Sequence, residues 1–381
     1  MHAIRLADPT WWRRAVGGGV LLLAVAAVSA CASSGRKTAY SPQELKRELA
    51  TQVPPDRLQD LLVPHQVGPA LVEQARQYVD GASSDHSKAN RLVRAITDAN
   101  QFGIEWKSIA TTTARETVLN GRGNCLSLSA LFVGLARGLG LSAYYVDASD
   151  RINSLERAND LLVRTGHIVA TVRTERGWAM VDFTGEISNY RMFNVIDDLE
   201  ALAHFYNNRG YEWLATAKAL KQEVPWEQAR RDFSMATYVQ RDFARAHNNL
   251  GVVYSHVGRE QEARQAYLRA IEADNAFAEP RQNLGNLSLR QGEIDEALSW
   301  YGVAIKMQSK NPYLRYHYGL AQYQAGDIEG AIESFQRAIA LKHDYLEPRN
   351  LLAQAYRQQG RLEEAERVRQ DAESKRRETI S

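Results

Sequence analysis

The stretch GRGNCLSLSALFVGLARGLGL, residues 121–141, joins a glycine-rich loop to an apolar segment with a helical repeat. Its large apolar side chains recur at spacings of three and four residues, which places them on one face of a helix. These residues are Leu128, Leu131, Phe132 and Leu135. Cys125 stands where this helix begins, and the free N–H groups and positive dipole end of a helix start favour a thiolate. The thiol therefore suits either a core position or a nucleophile.

Strand-forming residues dominate three segments after this helix, and helical patterns fill residues 41–118 before it. The strand-like segments are LSAYYVDA at 141–148, HIVATVRT at 167–174 and WAMVDFT at 178–184. The short link at 175–177 contains a glycine and joins the last two segments, which is typical of a β-hairpin. The sequence therefore predicts an α+β domain.

A nucleophilic thiol requires a base, and the base requires a group that orients it. His167 begins the first strand of the predicted hairpin, and Asp182 lies on the second. If the two side chains share a face, the carboxylate can fix the tautomer of the imidazole and stabilise its charged form. Asp147 is the alternative orienting residue. We expect the remaining histidines of this region, His65, His86 and His204, at the surface.

The C-terminal part of the chain repeats with a period of 34 residues. The columns that keep this spacing begin with Gly251, Gly258, Ala263, Tyr267 and Ala270. Small residues let paired helices approach closely, and aromatic residues fill the gaps between neighbouring pairs. The sequence predicts helix pairs at 244–277, 278–311, 312–345 and 346–381. A degenerate pair precedes them at 210–243, where Pro225 stands in place of the turn glycine.

The N-terminus carries the pattern of an export signal. Three arginines precede an apolar run, residues 15–30, that is too short and too glycine-rich for a comfortable membrane span. The run ends in Val-Ser-Ala-Cys at 28–31, which resembles the bacterial lipobox and implies that Cys31 receives diacylglycerol before cleavage. The alternative is an ordinary signal peptide in which Cys31 has no role. We assign 1–30 to the signal peptide and 31–41 to a lipidated polar tether.

Lipidation would leave Cys125 as the only thiol of the mature chain, because the sequence contains two cysteines. An exported thiol without a disulfide partner is either well buried or used. Ala32 after the lipobox resembles lipoproteins that are sent on to the outer membrane. We therefore expect a lipid-anchored protein of the cell envelope, at the outer membrane and facing the periplasm.

The order of cysteine on a helix start, histidine on a strand and aspartate on the next strand resembles the transglutaminase-like superfamily, relatives of papain-type folds. The motifs that carry the resemblance are GNC at 123–125, GH at 166–167 and WAMVDF at 178–183. With its helical lead-in, this domain is assigned to residues 42–205. The period of 34 resembles the tetratricopeptide repeat (TPR), so the expected fold is an α+β transglutaminase-like domain followed by an all-α TPR solenoid.

The resemblance implies that Cys125 is the nucleophile, His167 the general base and acid, and Asp182 the orienting residue. The backbone N–H of Cys125 would contribute to an oxyanion hole. Gln101 and Trp106 are available as a second donor, although neither matches an alignable motif. The expected reaction is attack on an amide or ester carbonyl to give a thioester, which water hydrolyses or an amine converts to a crosslink. The alternative is a non-enzymatic TPR scaffold or assembly lipoprotein with a degenerate first domain.

The TPR resemblance also implies a protein or peptide partner on the concave face. The candidate contact residues are Asn249, Asn283, Arg245, Arg290, Tyr316 and Tyr323. Cysteine chemistry of this kind needs no cofactor, and the sequence contains no spacing typical of a metal site. The net charge of +2 and the absence of a basic stripe give no reason to expect a nucleic acid.

Overall fold

The computed structural model describes residues 24–25, 37–107, 110–148, 155–158, 161–164, 167–184 and 194–380. These residues divide into two compact units. One unit contains most of the chain up to Val253, and the other contains Tyr254 onwards together with Arg157–Leu162.

The first unit combines helices with an antiparallel sheet, as the sequence predicts. Its helices are α1 (Pro42–Gln52), α2 (Pro55–Leu58), α3 (Pro69–Val79), α4 (Asp85–Thr97), α5 (Ala114–Asn120), α6 (Cys125–Gly138), α7 (Asp198–Leu220) and α8 (Trp226–Val239). The strands in the described residues are β1 (Ala24–Val25), β2 (Glu105–Trp106), β3 (Arg122–Gly123), β4 (Ser142–Asp147), β5 (Leu155–Ala158), β6 (Leu161–Arg164), β7 (Ile168–Thr174), β8 (Gly177–Val181) and β9 (Asn194–Ile196).

Five strands form the main sheet, in the order β1-β8-β7-β4-β9. Every neighbouring pair in it is antiparallel. The predicted hairpin is confirmed, because β7 and β8 pair from Ala170 opposite Val181 to Thr174 opposite Gly177. One face of the sheet packs against the helices through a large apolar core that includes Tyr145. The opposite face carries a smaller apolar cluster.

The N-terminal targeting prediction falls mostly outside the described residues. Cys31 and the predicted lipobox lie there, while the short strand β1 lies inside the predicted signal peptide. No helix in the described ranges is both long enough and apolar enough to cross a bilayer.

Helix α6 is buried on every side rather than on one face only. All residues from Leu126 to Ala136 are buried, including the serines and the glycine. A side chain at Gly134 would collide with the backbone of His65, which passes directly over it. Small residues in α6 therefore serve close packing against the lead-in segment, so the helix forms the centre of the first unit.

Helix α7 crosses the predicted boundary between the transglutaminase-like domain and the first repeat, at residues 205–210. It continues from Asp198 to Leu220 without a break and pairs with α8. Gly210 does not end the helix; it lets the ring of Phe233 approach, since a Cβ there would lie 2.8 Å from that ring. The helix therefore belongs both to the core around α6 and to the pair expected at 210–243.

The remaining helices follow the predicted period of the repeat. They are α9 (Ala244–His256), α10 (Glu260–Ala273), α11 (Glu279–Arg290), α12 (Ile294–Met307), α13 (Pro312–Gln324), α14 (Ile328–Leu341), α15 (Glu347–Gln358) and α16 (Leu362–Ile380). The turn glycines within the pairs have φ between 73° and 85°, a left-handed conformation that disfavours other residues. The turn glycines are Gly258, Gly292, Gly326 and Gly360.

The glycine column of the repeat permits contact between helices. A Cβ at Gly285 would lie 2.6 Å from the ring of Tyr301, and one at Gly319 would lie 2.9 Å from the ring of Phe335. Both rings are fully buried. Glycine and an aromatic residue thus recur together every 34 residues because, in these repeats, the ring packs directly against the backbone of the glycine.

We predict that Gly285→Ala destabilises the solenoid by about 1–3 kcal/mol, because Tyr301 must leave its position to admit the new methyl group. Gly302→Ala is the matched control, since its Cβ would meet no atom within 4 Å. The control should be neutral or stabilise the helix by up to about 1 kcal/mol. Thermal and urea denaturation followed by circular dichroism measure both effects. Equal stability of the two variants would contradict this packing.

Candidate active site

His167 and Asp182 lie next to each other on one face of the sheet. The register that sets Ala170 opposite Val181 places Asp182 diagonal to His167. His167 Nε2 is 4.0 Å from Asp182 Oδ1, and both side chains are buried. The backbone N–H and the hydroxyl of Thr184 donate to Asp182 Oδ1 at 2.9 and 2.7 Å. The carboxylate is therefore held in place beside the imidazole.

Cys125 is the first residue of α6 and is partly exposed. Burial of its thiol raises the pKa of Cys125 to about 11, against the opposing hydrogen bonds from the backbone of Ile168 and Leu126. The negative charge of Asp182 also raises this pKa. The direction is opposite to that expected from the helix start, because desolvation outweighs the helix dipole. The resting thiol is protonated at neutral pH.

The same contacts gather the three predicted catalytic residues at one place. Ile168, whose backbone hydrogen-bonds the thiol, directly follows His167 in the chain. Asp182 acts on the thiol through its charge and lies 4.0 Å from the imidazole. The arrangement brings together a thiol, an imidazole and a carboxylate, which are the groups that cysteine acyl transfer uses.

Asp147, the alternative orienting residue, lies on the other face of the sheet from His167. Asp147 is opposite Ile168 in the β4–β7 register, so these two side chains lie on the same face of the sheet. His167 directly precedes Ile168 and therefore points to the other face. The Asp147 carboxylate instead lies 3.6 Å from His204 Nε2 and 3.5 Å from Arg245 Nη1. Asp182 is thus the carboxylate beside His167.

The expectation that the other histidines lie at the surface is wrong for His204 and His65. His204 is 1% exposed and packs edge-on against the ring of Phe243. The His65 side chain is largely buried beside Asp198. Asp147, Glu200 and His204 also place potential metal-ligand atoms within 4.8 Å of one another. Sequence spacing does not reveal this group because Asp147 is distant from the other two along the chain.

Helix α7 holds α6 at both ends. At the C-terminal end, Arg137 forms a bidentate pair with Asp198, at 2.8 and 2.9 Å. At the N-terminal end, the N-cap residue Asn124 donates through Nδ2 to Glu212 Oε1 at 3.2 Å. The contacts are 13 residues apart on one helix (124 to 137) and 14 apart on the other (198 to 212). At about 1.5 Å per residue both spans are about 20 Å, so the two contacts are equally far apart on the two helices.

Glu212 is a positioning residue that sequence reasoning missed. Its carboxylate accepts from the backbone N–H of Thr111 at 2.8 Å, from the Thr111 hydroxyl at 2.5 Å and from Asn124. Asn124 in turn caps α6 by accepting from the Ser127 N–H at 3.0 Å. Burial raises the pKa of Glu212 to about 7, even though these hydrogen bonds lower it. No local motif marks Glu212, because its partners lie about a hundred residues earlier in the chain.

Trp106 is the better placed of the two candidates for the second oxyanion donor. It lies on β2, which pairs with β3 so that Trp106 is opposite Gly123, two residues before Cys125. Its side chain is 40% exposed. Gln101 is an exposed residue in the turn after α4. The strand pairing joins Trp106, and not Gln101, directly to the cysteine loop.

The asparagines expected to contact a peptide are buried. Asn249 and Asn283 are both 0% exposed, and Asn249 Nδ2 donates to Asn207 Oδ1 at 2.8 Å. The repeat pattern does not distinguish a groove asparagine from one that pairs with another asparagine between helices. A direct peptide contact by Asn249 would require this buried bond to open.

The other four candidates for peptide contact also have partners within the protein. Arg245 faces Asp147, and Arg290 hydrogen-bonds the Ser255 hydroxyl. Tyr316 packs against the rings of Phe335 and Tyr345. Tyr323 is partly buried against the apolar cluster that contains Phe335. Contacts within the protein therefore account for the positions of these four side chains.

Comparison with known families identifies both parts of the chain. Residues 72–183 match the transglutaminase-like superfamily, and residues 244–277, 319–360 and 350–380 match tetratricopeptide repeat families. The chain thus carries a transglutaminase-like domain followed by TPR repeats. The family match ends before α7 begins, although α7 supplies both contacts that hold α6. Comparison of the sequence with curated proteins gives no significant match.

Several solved TPR structures resemble part of the chain. MamA residues 41 to the end from Desulfovibrio magneticus RS-1 is 16% identical with a TM-score of 0.42, covering 47% of this chain and 97% of that one. PilF of Pseudomonas aeruginosa is 19% identical with a TM-score of 0.41, covering 45% and 76%. YrrB, described as a TPR protein with an unusual peptide-binding site, is 17% identical with a TM-score of 0.37, covering 45% and 86%.

We predict that Glu212→Gln weakens the dependence of stability on pH. The folded-state pKa of about 7 exceeds the unfolded value of about 4.3, so folding retains a proton between these values. The contribution of Glu212 to stability is complete below pH ~4 and is lost as the pH rises through 7. Wild-type stability should therefore fall by about 1–3 kcal/mol more than that of the variant across this window.

Urea denaturation at a series of pH values measures this difference. Glu223→Gln, at an exposed position, is the matched control and should keep the wild-type slope. Glu200, whose pKa burial likewise raises to about 7, remains in both variants and contributes equally. Parallel curves for wild type and Glu212→Gln would contradict the shifted pKa.

Proposed function

We propose that this chain is a lipid-anchored envelope protein whose transglutaminase-like domain transfers acyl groups through Cys125. The observation that carries the proposal is the grouping of His167, Asp182 and the Cys125 thiol around the start of β7. The substrate class is a protein or peptide amide, or an ester. The thioester product is hydrolysed by water or resolved by an amine.

The protonated thiol favours a concerted first step. As Sγ of Cys125 attacks the carbonyl carbon, its proton passes to the imidazole of His167, and Asp182 stabilises the resulting positive charge. The carbonyl oxygen becomes an oxyanion, for which the Cys125 backbone N–H is one donor and the indole N–H of Trp106 is the proposed second. His167 then gives its proton to the departing amine, which leaves Cys125 acylated as a thioester.

The second half of the reaction regenerates the enzyme. His167 takes a proton from the incoming water or amine, which attacks the thioester carbonyl. Collapse of the second oxyanion expels the sulfur, and the imidazolium returns the proton to it. Water yields a carboxylic acid, and an amine yields a new amide bond.

The alternative function is a scaffold in which the first domain only positions a partner. Two observations favour it: burial raises the Cys125 pKa, and the 4.0 Å between His167 Nε2 and Asp182 Oδ1 exceeds a hydrogen bond. A long distance between His167 and Asp182 is also typical of a resting catalytic site, in which such contacts shorten when substrate binds. Acylation of the thiol separates the two functions.

We predict that p-nitrophenyl acetate acetylates Cys125 in the full-length chain at pH 7.5. Release of p-nitrophenol gives the rate, and mass spectrometry locates the acetyl group. His167→Ala should lower the rate by about 10²–10⁴-fold because the thiol then lacks its base. Asp182→Asn should lower it less, since it removes only the orienting charge.

His86→Ala is the matched control for loss of an imidazole, because His86 is only partly buried and lies on α4 in the lead-in. It should keep the wild-type rate. Acetylation that is absent from Cys125, or that proceeds equally in wild type and His167→Ala, would favour the scaffold.

We further propose that Cys31 is lipidated and that Ala32 directs the protein to the outer membrane. Bacterial lipoproteins carry more than one acyl chain, which suffices for stable anchoring without a spanning helix. We predict that Cys31→Ser shifts the protein from the membrane to the soluble fraction or leaves the signal peptide uncleaved. Fractionation and mass spectrometry of the N-terminus provide the measurement, and Cys125→Ser is the control that should remain anchored.

The TPR solenoid supports a further proposal, that it binds a protein or peptide partner and brings it to the membrane-anchored domain. Repeat solenoids offer extended surfaces for such binding. Because Asn249 and Asn283 are buried, we place their role in helix packing and leave the partner's contacts to the more exposed residues of the repeats.

A further inference from the structure

A group of three potential metal ligands lies where β4 ends against α7. Asp147 is the last residue of β4, and Glu200 and His204 are four residues apart on α7, so they share one face of that helix. One ligand atom from each lies within 4.8 Å of the others. An ion that binds each atom at about 2.0–2.2 Å holds them at most about 4.4 Å apart, so the three side chains need to close in by only a few tenths of an ångström.

His204 supplies an independent indication of a ligand. Its side chain is 1% exposed, and Nδ1 has no hydrogen-bond partner in the described part of the chain. Nε2 faces Asp147 Oδ2 at 3.6 Å, which is too long for a hydrogen bond. Nε2, which faces the carboxylate of Asp147 within this group, is therefore the imidazole nitrogen available to a cation.

The charges around this group favour a cation. The Glu200 carboxyl group is repelled electrostatically by Asp197, Asp147 and Asp242. Arg245 is the positively charged side chain that interacts with it. Arg245 Nη1 is 3.5 Å from Asp147 Oδ2 and so competes for that carboxylate. Four carboxylates around one guanidinium still leave an excess of negative charge. No described residue donates a hydrogen bond to the Glu200 side chain.

We propose that Asp147, Glu200 and His204 bind a divalent transition-metal ion of the Zn²⁺ or Mn²⁺ class. One imidazole with two carboxylates suits these ions, whereas Ca²⁺ and Mg²⁺ prefer oxygen ligands alone. The ion is structural, because the site lies on the face of the sheet opposite His167. It connects the end of β4 to α7. Asp147 is opposite Ile168, which is the first residue of β7 and directly follows His167 in the chain.

The test uses the full-length chain in detergent after removal of bound metal with a chelator. Isothermal titration with ZnCl₂, MnCl₂ and CaCl₂ measures stoichiometry and affinity. We expect one Zn²⁺ or Mn²⁺ per chain and a higher melting temperature with the ion, but no comparable binding of Ca²⁺. Glu200→Gln and His204→Phe, which preserve side-chain shape, should each weaken binding at least about 100-fold.

Two controls separate this site from other places where Zn²⁺ binds. Cys125→Ser removes the thiol near His167 and should leave the affinity for the ion unchanged. His86→Ala removes an imidazole far from the site and should also leave the affinity unchanged. The visible absorption of bound Co²⁺ reports the ligand set directly and should be lost in Glu200→Gln. Binding that is absent in wild type, is unchanged in both ligand variants or is lost in Cys125→Ser would overturn the proposal.

Discussion

The ion pair between Arg137 and the fully buried Asp198 fixes the position of the helix that carries Cys125. Besides its two bonds to Asp198, the guanidinium donates through Nε to the carbonyl of Ala143 at 2.9 Å. Asp198 also accepts from the backbone N–H of Tyr40 at 2.9 Å. One pair thus joins α6, β4, α7 and the lead-in segment. Removal of one partner would leave a buried charge, at a cost of about 3–5 kcal/mol.

The contact at the other end of α6 differs in character from this ion pair. Glu212 holds the cysteine loop by neutral or charged hydrogen bonds, according to pH, whereas Arg137 keeps its charge throughout. The end of α6 that bears Cys125 is therefore held through a carboxyl group whose pKa burial raises to about 7, whereas the opposite end is held through a guanidinium that stays charged.

Local sequence patterns predicted the parts of this fold that depend on near neighbours. The column of Gly285 and Tyr301 gave the repeat, and the link at 175–177 gave the hairpin that brings His167 to Asp182. Patterns did not predict the contacts between distant segments. Glu212 reaches Thr111, and Asp147 reaches His204, across distances in sequence that no periodicity records. The sign of the Cys125 pKa shift was missed for the same reason, because burial comes from elements far along the chain.

Because α7 contacts both ends of α6, it limits where the chain can be divided into separate parts. A gene segment cut where the family resemblance ends, at residue 183, would encode the cysteine, the histidine and the aspartate but neither of the two α7 contacts that hold the ends of α6. The transglutaminase-like domain and the helix pair that follows it share α7, so a fragment of either one that omits this helix loses part of its packing. A recombinant fragment keeps both contacts and the whole of α7 only if its junction falls after residue 220.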